Sequence, residues 1–105
     1  MKKLTILLLS ALIAISSCTS KKAATTEKSP ADIVAEVKKN YSEAQLAEGK
    51  TLWQDNCKKC HKLHDGPDYT VKKWENVLPR MFNRAKVNDE QSGKIRAYLL
   101  ANAKI

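Results

Sequence analysis

From residue 29 onward apolar positions recur every three or four residues, and the breaks in that rhythm fall on capping and turn residues. Ser29-Pro30-Ala31-Asp32 offers an N-cap, a proline at the first helical position and an acidic residue in the first turn. It opens a short helix with Ile33, Val34 and Val37 on one face, ending near Asn40. Ser42-Glu43-Ala44-Gln45 is a capping box, and Leu46, Gly49 and Trp53 follow on one helical stripe. A glycine inside a helix costs about 1 kcal/mol against alanine, so Gly49 predicts a close helix crossing. Residues 62–70, with Gly66, Pro67 and Asp68, read as loop. Thr70 caps a third helix whose apolar stripe is Trp74, Val77, Leu78 and Met81. Asn88-Asp89-Glu90-Gln91 is a second capping box, opening a last helix with Ile95, Tyr98 and Leu99 inward. There is no period-2 strand pattern and no internal repeat. The expected fold is all-α, a bundle of three to four short helices.

The N-terminal stretch belongs to targeting. Lys2 and Lys3 precede twelve uncharged residues, 4–15, which suit an export signal but are too short to span a bilayer. The following Ile15-Ser16-Ser17-Cys18 resembles a bacterial lipobox, which implies cleavage before Cys18 and lipid on its sulfur. The competing reading is an ordinary secretory signal with an incidental cysteine. Residues 19–29 are small and polar, a tether whose coil dimension is roughly 18 Å root-mean-square. The expected organisation is therefore a signal peptide over 1–17, lipidated Cys18 and flexible tether over 18–29, and one domain over 30–105. Its cofactor-binding core spans about 42–105. Whether residues 31–41 pack on that core or extend the tether is open at this stage. A chain of 105 residues leaves room for a single small domain, which needs a staple, a metal or a prosthetic group to supplement its core.

That supplement is written at the end of the second helix as Cys57-Lys58-Lys59-Cys60-His61. Cys-x-x-Cys-His is the attachment signature of c-type haem. Two thiols three residues apart can add to vinyl groups on neighbouring pyrroles, and His61 is then carried beneath the ring as an iron ligand. A thioredoxin-like reading would need a βαβ setting. A zinc site would need two further ligands, and only His64 is at hand. The three cysteines divide into one for lipid and two for thioether bonds. For the second axial position, Met81 is the one methionine left after the signal is removed, 20 residues beyond His61. Its bland reading is a core position on the helical stripe. Against that, Pro79 should bend or break the helix there, where a sulfur would turn toward iron. His64, three residues from His61, should lie on the same side of the ring and is discounted.

The block of Gly49-Lys50-x-Leu52-Trp53, Cys57-x-x-Cys60-His61, Trp74, Met81 and Ile95-x-x-Tyr98-Leu99 resembles a short class I cytochrome c, of the small monohaem kind exported by bacteria as a domain or lipoprotein. The resemblance spans roughly residues 46–100. It implies a cytochrome c-like bundle around one covalently bound haem c, with His61 as proximal and Met81 as distal iron ligand. It also implies that the helix before the haem motif crosses the last helix near Gly49, with Tyr98 against that glycine.

His and Met together leave no open iron position, and methionine favours the ferrous state. The expected function is single-electron transfer in the cell envelope, on the periplasmic side of a membrane, as a tethered shuttle or as an electron-transfer subunit of a larger oxidoreductase complex, and not catalysis by this chain alone. The alternatives are a haem sensor or ligand-binding protein, or a peroxidase-like enzyme, each with an open sixth position. Nineteen Lys and Arg against eleven Asp and Glu give a formal charge of +8. Residues 50–86 hold nine basic and four acidic groups, so the excess surrounds the haem motif, through Lys58, Lys59, Lys62, Lys72, Lys73, Arg80, Arg84 and Lys86. Such a patch can steer an acidic redox partner, and attraction to anionic lipid would act beside the anchor. Solvated lysines on a small domain are the plain alternative. Nucleic acid is not expected as a partner of an exported haem protein.

Overall fold

The computed structural model describes residues 27–59 and 61–105. The expected signal peptide, Cys18, most of the expected tether and Cys60 lie outside the described residues. Each helix starts on a side chain that accepts orphan amides of its first turn. Ser29 Oγ accepts from the Asp32 N–H (3.2 Å) and opens α1, Pro30–Asn40. Ser42 and Gln45 bond reciprocally at 3.2 and 2.8 Å and open α2, Glu43–Cys57. A single 3-10 turn, Gly66–Asp68, follows. Thr70 Oγ1 accepts from the Lys73 N–H (3.2 Å) and opens α3, Val71–Ala85. Asn88 and Gln91 form the second capping box, at 2.8 and 3.2 Å, before α4, Asp89–Ala101.

α4 is the central element. α2 crosses it so closely at Gly49 that a methyl there would stand 2.1 Å from the Lys94 carbonyl oxygen and 3.1 Å from Tyr98 Cβ. Only a residue without a side chain allows that approach. Lys94 Nζ adds bonds to Glu48 across the crossing (2.8 Å) and to Glu90 on its own helix (3.1 Å), which raise the Lys94 pKa. The core is Val37, Trp53, Val71, Trp74 and Leu78 against Ile95, Ala97, Leu99 and Leu100. The sequence stripe of Ile95, Tyr98 and Leu99 was too narrow for α4. Helices flank it on more than one side, so Ala97 and Leu100 are buried as well, while Tyr98 is half-buried. α1 settles the open question about residues 31–41: Val37 is 4% exposed, and Ile33 and Val34 pack against the same core.

α3 departs from expectation at Pro79, where no break occurs and the helix runs through to Ala85. The proline removes one N–H, the donor to the Glu75 carbonyl, but its own side is exposed to solvent. Burial of Val71, Trp74 and Leu78 holds the rest of the helix on the core. Beyond α4, Lys104 pairs with the start of α3: the Val71 N–H donates to Lys104 O (2.9 Å) and the Lys104 N–H to Tyr69 O (3.1 Å). No helix among the described residues is long and apolar enough to cross a membrane.

Candidate functional site

The end of α2, the loop that follows it and the outer half of α3 enclose a half-open cleft of about 240 Å³. Cys57, the last residue of α2, lines it, as does His61 three residues past the C-cap at Lys58. Across from them, α3 contributes Val77 and Met81 and, at the same helical spacing, Arg80, Arg84 and Ala85. A second void of about 10 Å³ shares Cys57, His61 and Met81 with the cleft and is backed by Trp53, Trp74, Leu78 and Leu99. Three of the sequence-predicted residues, spread over 24 positions of the chain, therefore meet at one apolar space. Met81 reaches it by ordinary helix periodicity from an unbroken α3, not through a break at Pro79. Cys60 lies outside the described residues, and the pairing of the two thiols is not part of this geometry.

His61 is exposed, and its Nδ1 stands 2.8 Å from the Lys62 carbonyl oxygen. A proton on Nδ1 donates to that carbonyl and leaves the Nε2 lone pair for a metal, the usual division of labour in a ligating imidazole. His64, set aside at first, also lines the smaller void, 6.0 Å from the His61 ring centroid and 5.0 Å from that of Tyr69. Its Nδ1 is 3.8 Å from Asp68 Oδ2. Among the described residues no group of three or more His, Cys, Asp or Glu converges to hold a bare metal ion.

The donors present suit an iron porphyrin. A thiol, an imidazole and a thioether are soft to borderline ligands, and the walls behind them are aromatic and aliphatic. Arg80 and Arg84 stand one turn apart on the rim, exposed, with no carboxylate within 4 Å among the described residues. Arg96, by contrast, is paired with Glu75, its Nε donating to Oε2 at 2.8 Å. Compared with known proteins, the chain matches no family model, no curated protein and no solved structure.

The loop from His61 to α3 is fixed by contacts that sequence reasoning did not find. Asp65 is its hub. Its Oδ1 accepts from the Gly66 N–H (2.7 Å) and from Tyr98 Oη of α4 (2.9 Å), while its own N–H donates to Asp68 Oδ2 (2.8 Å). The buried Trp74 Nε1 donates to Gly66 O at 2.9 Å. Burial, followed by the bond to Asp65, pushes the Tyr98 pKa up to about 12. The one available signal was the Asp-Gly-Pro-Asp run, which marks a turn but not its partners.

Proposed function

We propose that the chain is a monohaem c-type cytochrome that carries single electrons between redox partners in the cell envelope, tethered to a membrane through lipid on Cys18. The observation that carries the proposal is the convergence of Cys57, His61 and Met81 on one apolar cleft, beside the Cys-x-x-Cys-His spacing. The thiols of Cys57 and Cys60 would hold the porphyrin by thioether bonds, and His61 and Met81 would hold its iron. The bound group supplies a one-electron ferric–ferrous couple. This chain's own part is to exclude water with Trp53, Trp74, Leu78 and Leu99, and to set a nitrogen and a sulfur donor in place. Arg80 and Arg84 offer guanidinium forks to carboxylates at the cleft mouth. The basic groups around the motif give an acidic redox protein a surface on which to dock.

The test is a pyridine haemochrome spectrum joined to mass spectrometry of protein made in a host with a haem-attachment system. One haem per chain on Cys57 and Cys60, lipid on Cys18, and a low-spin reduced spectrum indifferent to carbon monoxide are expected. Met81→Ala should lower the reduction potential and open the iron to carbon monoxide. A colourless chain refutes the proposal. A five-coordinate, carbon monoxide-responsive wild-type spectrum replaces the shuttle with a sensor or ligand-binding protein.

A further inference from the structure

We infer that Tyr98 clamps both flanks of segment 57–61 and acts as the positioning residue for His61 relative to Met81, an inference that rests on the reading of that segment as a haem attachment site. Trp53 lies one helical turn before Cys57, and Asp65 lies four residues after His61. Both touch Tyr98. The Trp53 and Tyr98 rings are 5.5 Å apart between centroids, and Tyr98 Oη donates to Asp65 Oδ1 at 2.9 Å. The close crossing at Gly49 brings α4 near enough for one side chain to reach both flanks.

Among the described residues, no hydrogen bond ties the imidazole itself to the helices. Its hydrogen bond runs to the neighbouring Lys62 carbonyl, inside the same loop. Its position is set from the two ends of segment 58–64, beside the packing of Leu63 on the core and of His64 on Tyr69. The upstream end is the last turn of α2, packed through Trp53 on Tyr98. The downstream end is Asp65 and Gly66; a methyl on Gly66 would meet Asn102 Cβ at 2.7 Å and Leu99 O at 2.8 Å. Trp74 also holds Gly66 O, but it touches only that end of the segment through this bond. Tyr98 meets both ends, one by its ring and the other by its hydroxyl, so a change at that hydroxyl is transmitted to a ligand it does not touch.

Tyr98→Phe keeps the ring on Trp53 and removes the bond to Asp65. In the haem-loaded protein, backbone amides of residues 62–66 should exchange about tenfold faster or more, since a hydrogen bond to a carboxylate is lost, with α1 unaffected. The reduction potential should move and the sulfur–iron absorption band weaken. Asp65→Asn, which keeps an oxygen for Tyr98 Oη, should stay close to wild type, and Asp65→Ala should reproduce Tyr98→Phe. Val37→Ala, remote on α1, supplies a loss of stability without the clamp and should leave the potential and the band unchanged. The inference is overturned if Tyr98→Phe moves loop exchange and potential no more than Val37→Ala does, or if Asp65→Asn behaves like Asp65→Ala. Protein purified without porphyrin would sink the proposed function instead, while loop exchange in that protein still decides the clamp.

Discussion

Lys86 closes α3 with φ 55° and ψ 38°, a left-handed conformation that glycine adopts freely and a residue with a Cβ does not. Lys86→Gly relieves roughly 1 kcal/mol of that strain, and the greater freedom of the unfolded chain takes back about half. A net gain of a few tenths of a kcal/mol is expected in urea denaturation, and a loss would show that the lysine side chain contributes more than its backbone costs. At Tyr98 the direction of a pH effect is fixed by its raised pKa. An unfolded tyrosine ionises near 10, whereas the native one ionises at about 12. The native state thus retains its proton over that interval while the unfolded state loses it, so this contribution to stability is complete below about pH 10. It drains away as the pH rises toward 12. Following phenolate absorbance in native protein should find Tyr98 ionising well above an unperturbed tyrosine, and Tyr98→Phe should flatten the alkaline decline in stability.

At the scale of elements, the helix starts were legible because capping is local chemistry: Ser29, Ser42, Thr70 and Asn88 each bind the amide three residues away. Gly49 was legible too, since a costly residue inside a helix needs a compensating contact, and the Lys94 carbonyl is that contact. Gly49→Ala should gain about 1 kcal/mol in helix propensity and lose more to a clash with backbone that no rotamer change relieves. A net destabilisation of about 1–3 kcal/mol is expected, and a stabilised variant would contradict the crossing. Pro79 was misjudged, because the cost of an interior proline does not say whether packing elsewhere on the helix outweighs it. Pro79→Ala should restore a donor to the Glu75 carbonyl. The roughly 3 kcal/mol interior-proline penalty, less about 1 kcal/mol for a freer unfolded chain, leaves a gain of about 2 kcal/mol. Thermal unfolding reads it directly.

For the whole molecule, the motif at 57–61 carries the chemistry proposed above, but the partners of its loop were not legible. Asp65 and Tyr98 are 33 positions apart, and Glu75 and Arg96 are 21; no periodicity links such pairs, because only the packing of α2 and α3 on α4 brings them together. Arg80 and Arg84 likewise read as part of a general basic excess until α3 was seen to turn them toward the cleft with Met81. On the proposed function, electron exchange with an acidic partner should slow by about tenfold or more between low and physiological salt, as screening shortens the reach of these charges. Stopped-flow mixing over a salt series measures it, and a flat series would leave the cations as solvated surface. The pairing of Lys104 with Tyr69 and Val71 joins the far end of α4 to the near end of α3. A chain shortened to Lys104 keeps that clasp, and one shortened to Ala103 loses both bonds, so the tail beyond the last helix works as a buckle and should tolerate fusion partners far better than trimming.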